Sequence, residues 1–147
     1  MSKRPLTEEH ITTSEFDTVK LARSFASRLE IGDILFLSGE LGSGKTVFVK
    51  GLAAGLGINS DDVNSPTFSL INEYKGIGLS LYHVDLYRVD KAGSSDLGLE
   101  ELGATDGILA IEWPENLAYD LPVTVNLEIQ TLDEATRKIT IRHNIID

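Results

Sequence analysis

The feature that most constrains this chain is the stretch GELGSGKT, Gly39 to Thr46, which lies between two apolar runs. It fits the pattern G-x-x-x-x-G-K-[ST], in which glycines let backbone N–H groups approach phosphate oxygens and supply positive φ angles. The preceding run DILFLSG predicts a buried strand, and the following run KTVFVKGLAAGLG predicts a helix. The sequence therefore predicts a phosphate-binding strand–loop–helix unit, the P-loop.

Each residue type in this loop has a chemical reason to be there. The N-terminus of the following helix adds partial positive charge near the phosphates. Lys45 is predicted to reach the β- and γ-phosphates, and the Thr46 hydroxyl is predicted to ligate Mg²⁺. The remaining predicted phosphate-facing residues are Glu40, Leu41, Gly42, Ser43 and Gly44. ATP is favoured over GTP because no N-K-x-D element for guanine is present, and we interpret DKAG at Asp90 as a chance match to D-x-x-G.

Two carboxylates follow other predicted strands. Asp85 lies in LYHVDLYR and Glu112 in ILAIEW. Ligands of α/β proteins bind beyond the carboxyl ends of strands. One carboxylate would hold Mg²⁺, directly or through water, and the other would orient or deprotonate the attacking water. The alternative is that both acids merely end their strands in solvent.

The rest of the chain predicts an α/β fold. A helix is expected over 12–33, capped by Ser14 or Thr13 and ended by Gly32. Hairpins are expected from TFSLINEY with GLSLYHVDLYR and from VTVNLEIQ with KITIRHN, with a further strand at GILAIEW. We predict one domain over 1–147, with a P-loop NTPase-like three-layer fold and a mixed, partly antiparallel central sheet.

Composition limits the possible functions. The net charge of −10 argues against strong direct binding to RNA or DNA. Cysteine is absent, which excludes disulfides and thiol chemistry. The sequence has no apolar run long enough to span a bilayer and no secretory h-region, so we expect a cytoplasmic protein without membrane attachment.

The segment NSPTFSL has two interpretations. Ser65, Pro66 and Thr67 predict a rigid turn before a strand, which could be a loop with a capping hydroxyl. Alternatively, Thr67 belongs to a switch-like segment and contacts the γ-phosphate, its Mg²⁺ or the water.

Taken together, these motifs resemble one family, the bacterial tRNA threonylcarbamoyladenosine biosynthesis ATPases called TsaE, formerly YjeE. The matching pieces, in order, are GELGSGKTVFVKGLAAGLG, SPTFSLINEY, YHVDLYRV, LGLEELG and AIEWPE. With the N-terminal helix they cover nearly the whole chain. The combination of SPTF, HVDLYR and EWPE is far more specific than the P-loop.

The resemblance implies a P-loop ATPase that assists threonylcarbamoyladenosine formation at position 37 of tRNAs reading codons that begin with A. It implies two partners, a carbamoyltransferase (TsaD) and its paralogue (TsaB), with tRNA reached only through that complex. It assigns ATP and Mg²⁺ as ligands. Glu112 becomes the acidic residue at the metal, Asp85 the second essential carboxylate and Thr67 the switch threonine.

Five further residues each have two possible roles. Trp113 would sit near the nucleotide or the partner, or else in the core. Glu15 and Arg137 are candidates for the adenine end by alignment position only, and surface roles compete with that assignment. His83 is expected to be a packed histidine rather than a base. Arg88 would pair with phosphate or form an ordinary salt bridge.

Two other functions compete with the ATPase. A small-molecule or nucleotide kinase usually supplies lid arginines, whereas this chain has six arginines and no lid-like insert. A non-catalytic nucleotide sensor would act only by binding partners, and the two carboxylates argue against it. The oligomeric state is left open.

Overall fold

The computed structural model of the chain describes residues 7–59, 63, 70–95 and 97–144. The strands are β1 Thr7–Thr12, β2 Ile34–Gly39, β3 Ile71–Lys75, β4 Ser80–Asp85, β5 Gly107–Glu112, β6 Val125–Thr131 and β7 Arg137–His143. The α-helices are α1 Glu15–Ala26, α2 Lys45–Gly55 and the short α3 Lys91–Ser94, and single 3₁₀ turns occupy Leu99–Glu101 and Pro114–Asn116.

All of these strands join one mixed sheet in the order β1-β7-β6-β2-β5-β4-β3. The pairs β2–β6, β2–β5 and β4–β5 are parallel, whereas β1–β7, β6–β7 and β3–β4 are antiparallel. This arrangement confirms the predicted α/β class with a mixed, partly antiparallel sheet. It also directs the carboxyl ends of β1, β2, β4, β5 and β6 to one edge, where α/β folds bind ligands.

The sheet is packed on both faces. Leu35 and Leu37 of β2 and Ala110 of β5 point to the face covered by α1 and α2. The alternate residues, such as Leu109 and Ile111, point to a second cluster built from loops and the 3₁₀ turns. Because side chains alternate along a strand, Glu112 lies on the α1 and α2 face, as does His83 of β4.

Helices α1 and α2 pack closely because α2 carries glycine at their contact. A Cβ atom added to Gly51 would lie 2.5 Å from both Ala22 Cβ and the Val19 carbonyl oxygen. One added to Gly55 would lie 2.6 Å from Ala26 Cβ. These two helical glycines therefore allow α1 and α2 to approach closely.

Helix α1 begins as predicted but ends earlier. Ser14 is the N-cap, and its Oγ accepts a 3.0 Å hydrogen bond from Asp17 N. The prediction that the helix continues to Gly32 is wrong, since it ends at Ala26 with a Ser27 cap. The chain must then turn into β2, and Gly32 makes that turn with φ +98° while donating to the Gly107 carbonyl at 2.8 Å.

Both predicted hairpins and the strand before Glu112 are confirmed, whereas β1 was not predicted. Within the described residues, strand β1 pairs only with β7 at the sheet edge, and most of its side chains are at least partly exposed. Asp90 N-caps α3, with its Oδ1 accepting a hydrogen bond from Gly93 N at 2.7 Å, which gives the DKAG sequence a local structural role. In the part of the chain that the structure describes, no helix combines the length and apolarity needed to cross a membrane.

Candidate nucleotide-binding site

A cavity of about 760 Å³ opens at the carboxyl edge of the sheet. Its walls are the P-loop, the start of α1, the segments after β4 and β5, and the turn between β6 and β7. The predicted site residues that line it are Glu15, Leu41, Gly42, Ser43, Gly44, Lys45, Thr46, Asp85, Glu112, Trp113 and Arg137. Glu40 lies in the same loop, and Thr67 lies outside the described residues.

The P-loop glycines meet the physical requirements stated above. Gly42 and Gly44 have φ angles of +80° and +111°, which side chains rarely adopt. At Gly39 the constraint is space, because an added Cβ would lie 2.6 Å from the Ile129 carbonyl oxygen and from Ser43 Oγ. Gly44 is the N-cap of α2 and has no side-chain cap, so the first N–H groups of α2 remain available to an anion.

The Lys45 side chain is hydrogen-bonded to the backbone of the P-loop. Its Nζ donates to the carbonyl oxygens of Gly39 and, at 3.2 Å, of Glu40. The same ammonium lies 4.1 Å from the ring centroid of Trp113. Burial lowers the pKa of Lys45, although Glu112 and two other nearby carboxylates act in the opposite direction. The carbonyl contacts and the nearby acids compensate the charge of this buried cation.

Glu112 is held between two elements. Its Oε2 accepts a 3.2 Å hydrogen bond from Thr46 Oγ1 and lies 2.5 Å from His83 Nε2. Glu112 is 3% exposed and His83 is fully buried. The alternative that this acid merely ends its strand in solvent is therefore wrong for Glu112.

Asp85 lies beside Glu112, because the two are paired in register on the parallel strands β4 and β5. It lines the cavity and is more accessible than Glu112. Its Oδ1 accepts a 2.9 Å hydrogen bond from Tyr87 N, which orients the carboxylate. Of the two carboxylates at the strand ends, Glu112 is thus buried and Asp85 is accessible from the cavity.

Trp113 lines the cavity and is also partly buried against the second hydrophobic cluster. Its ring lies 4.9 Å from that of Tyr87, centroid to centroid. Among the described residues it is the one non-glycine residue with positive φ, at +61°. A bulky residue in this conformation is unusual and is often found at functional sites.

Arg137 and Glu15 also line the cavity, and Glu15 is exposed there. Arg137 Nε donates to the Ser43 carbonyl at 2.9 Å, and its Nη1 donates to the Asp133 carbonyl at 2.9 Å. Arg137 therefore ties the P-loop to the β6–β7 turn. Glu15 stands in the first turn of α1, and Arg88 lines the cavity as well.

Sequence reasoning missed the cavity residues Thr13, Ser14, Thr18, Tyr87, Glu134 and Ala135. It also missed the contact between His83 and Glu112. The available signal was that His83 lies two residues before Asp85, on the same strand face. The register of β4 against β5 was needed to bring that face next to Glu112.

Oxygen atoms of the type that Mg²⁺ prefers lie close together at the start of α2. The Thr46 hydroxyl and the Glu112 carboxylate are within hydrogen-bonding distance, with Asp85 on the neighbouring strand. The described residues hold no cluster of three or more His, Cys, Asp or Glu side chains suited to a metal. A pair of oxygen donors nevertheless fits Mg²⁺, which is usually held by one or two carboxylates together with substrate phosphates.

Comparison with known proteins identifies the family. The model of the family described as Threonylcarbamoyl adenosine biosynthesis protein TsaE matches residues 12–139. The chain belongs to the TsaE family. The matched range includes every cavity-lining residue named above, from Thr13 to Arg137.

The TsaE relatives match most of the chain. The tRNA threonylcarbamoyladenosine biosynthesis protein TsaE of Aquifex aeolicus is 45% identical over 137 residues, which cover 92% of this chain and 96% of the relative. The Bacillus subtilis protein of the same name is 41% identical over 130 residues, covering 88% and 81%. The crystal structure of Bacillus subtilis YdiB superimposes with a TM-score of 0.76 at 32% identity, covering 97% of this chain and 88% of the other.

Proposed function

We propose that this chain is a Mg²⁺-dependent ATP hydrolase that serves the formation of threonylcarbamoyladenosine at position 37 of tRNA. The names of its relatives support the pathway. The observation that carries the catalytic part is the buried Glu112 carboxylate, hydrogen-bonded to Thr46 at the start of the P-loop helix. This geometry supports a nucleotide site that can do more than bind phosphate.

The triphosphate would lie against the amides of the P-loop and the start of α2. Lys45 would exchange its contacts with the Gly39 and Glu40 carbonyls for contacts with phosphate oxygens. This exchange favours binding because a charged hydrogen bond to a polyanion is stronger than one to a neutral carbonyl. Arg137 would keep the loop in shape through the Ser43 carbonyl.

Thr46 and Glu112 are the residues that would hold Mg²⁺. Bound Mg²⁺ would neutralise charge that develops on the phosphates. Glu112 is buried and fixed in position, which fits a residue that would hold the metal ion. Asp85 is accessible from the cavity and fits the orientation or deprotonation of water, and the resemblance adds Thr67 as a switch residue.

The adenine end of the nucleotide would lie between the start of α1 and the β6–β7 turn. Glu15 and Arg137 line the cavity in these two regions. Trp113 lies beside Lys45 and its ring packs against Tyr87, which supports a position for this aromatic pair near the phosphates.

The proposal includes the partners implied by the resemblance, a TsaD-like carbamoyltransferase and its TsaB-like paralogue. The net charge of −10 supports contact with tRNA through those partners rather than directly. The proposal keeps the expected cytoplasmic location, where such a complex would meet its tRNA substrate.

Phosphate release, measured for the chain alone and with the purified partner pair, tests this function. We expect slow release alone and faster release with the pair, both requiring Mg²⁺. A phosphorylated acceptor in place of free phosphate would favour the kinase. No turnover in either setting, with nucleotide bound, would favour the non-catalytic sensor.

A further inference from the structure

We propose that His83 is a positioning residue that holds the Glu112 carboxylate in place beside the P-loop. This inference rests on the proposed function, since it concerns the carboxylate assigned to the metal side of the nucleotide. It gives a role to a buried polar side chain that phosphate binding and water activation do not use.

The contact between these residues is direct. His83 Nε2 lies 2.5 Å from Glu112 Oε2, at the short end of hydrogen-bonding distances. Thr46 Oγ1 donates to the same oxygen at 3.2 Å. A carboxylate oxygen only accepts, so His83 must carry its hydrogen on Nε2 and donate it.

The burial of His83 argues that it does more than fill space. Its Nδ1 is buried and has no hydrogen-bonding partner among the residues that the structure describes. The ring packs near Tyr74, with ring centroids 6.3 Å apart. An apolar side chain of similar size would fill this space without an unpaired polar atom, which costs stability. The hydrogen bond to Glu112 is the described interaction that such a replacement would lose.

Thr46 cannot position Glu112 by itself when nucleotide is bound. In the proposed function the Thr46 hydroxyl would help to hold Mg²⁺, so its hydrogen bond to Glu112 Oε2 would not be the fixed support of that carboxylate. The backbone of β5 fixes the position of the Glu112 Cα atom, but it does not fix the orientation of the carboxylate. His83, fixed on the neighbouring strand β4, supplies a donor that does not depend on the nucleotide.

Two substitutions separate the hydrogen bond from packing. His83→Gln keeps an N–H donor close to the position of Nε2, whereas the shorter amide of His83→Asn reaches only the region of Nδ1. Val84→Ala is the matched control, because Val84 is fully buried on the same strand but faces the opposite cluster. We expect it to lower thermal stability while leaving turnover unchanged.

With the partner pair present, we expect His83→Asn to lower kcat roughly 10–100-fold with KM for ATP within about threefold. His83→Gln should recover most of that loss. The proposal is overturned if His83→Asn has wild-type kcat, if Gln and Asn variants lose activity equally, or if Val84→Ala loses as much kcat as His83→Asn.

A second readout does not depend on turnover. Calorimetry of ADP binding with and without Mn²⁺ measures how much the metal adds to nucleotide affinity. We expect His83→Asn to lose roughly tenfold of that gain and His83→Gln to keep it. If the wild-type chain releases no phosphate, the hydrolase proposal fails, and this comparison alone decides the role of His83. That role is overturned if Mn²⁺ does not raise the affinity of the wild-type chain for ADP. It is also overturned if Mn²⁺ raises the affinity of His83→Asn as much as that of the wild type.

Discussion

At the scale of single residues, the site depends on groups whose charges are compensated inside the protein. Lys45 is nearly buried and contacts backbone carbonyls, and Glu112 is buried and contacts hydroxyl and imidazole donors. The P-loop spacing predicted Lys45 and Thr46 because that chemistry is local in sequence. The pairing of Glu112 with His83 joins residues 29 apart in sequence, so it depends on strand register.

Replacing Lys45 with alanine should weaken ATP binding by roughly 10–100-fold, because a charged donor to phosphate is lost. Calorimetric titration with a non-hydrolysable ATP analogue and Mg²⁺ measures the change. Lys50→Ala is the control, since Lys50 lies on the same helix and does not line the cavity. If the Lys45 variant binds the ATP analogue as tightly as the wild type does, the assignment of this loop as a P-loop is wrong.

Replacing Glu112 with alanine should preserve some nucleotide binding while lowering phosphate release at least roughly 100-fold, because transition-state charge stabilisation is lost. The measurement compares kcat with the affinity for the ATP analogue. A wild-type rate in this variant would exclude Glu112 from the mechanism.

At the scale of elements, periodicity predicted the helices and strands that bury one face, but not where each stops. The apolar pattern continues past Ala26, yet the chain turns there because β2 must start beside β5. Strand β1 is missing from the prediction because its more buried positions hold the polar residues Glu8, His10 and Thr12, so its alternating burial leaves no alternation of apolar residues in the sequence. The unpredicted strand also explains the missed residues Thr13 and Ser14: they follow the end of β1, which reaches the cavity because β1 runs in the same direction as β6.

Gly51→Ala tests the close contact of α1 with α2. The added Cβ would clash with Ala22 Cβ and the Val19 carbonyl, so the helices must separate. We expect a loss of about 1–3 kcal/mol in the free energy of unfolding, despite the better helix propensity of alanine. Urea denaturation measures it, with Lys50→Ala as the control on the same helix. An unchanged or raised stability would contradict the packing described.

At the scale of the whole molecule, a charged cluster joins the N-terminal strand to the rest of the sheet. Glu8 of β1 receives two hydrogen bonds from Arg28, at 3.0 and 2.6 Å, and lies 2.8 Å from His143 Nε2 of β7. His10 lies 3.3 Å from the same carboxyl group. These contacts secure β1, whose end leads directly into the cavity wall at Thr13.

This cluster predicts a pH-dependent stability. The hydrogen bonds from Arg28 lower the pKa of Glu8 from 4.5 to about 2. Because this pKa is depressed in the folded state, the stabilisation is complete above pH 4.5 and is lost as pH falls toward 2. Glu8→Gln should cost about 1–2 kcal/mol near neutral pH, and the difference from wild type should shrink below pH 4.5.

Glu9→Gln is the control for this prediction, since the Glu9 carboxylate is 61% exposed and pairs with Lys138 at 3.6 Å. It should change the free energy of unfolding little at any pH. Urea denaturation at a series of pH values gives both comparisons. A difference between Glu8→Gln and wild type that stays constant with pH would contradict the assigned cause.

The central claim is that the P-loop, Thr46 and Glu112 form one nucleotide and metal site. A crystal structure with a non-hydrolysable ATP analogue and Mn²⁺ tests it most directly, because anomalous scattering locates the metal. We predict a triphosphate against the amides that follow Gly42, with the metal peak at Thr46 Oγ1 on the side of Glu112. A nucleotide bound elsewhere, or a metal peak remote from both residues, would contradict the account.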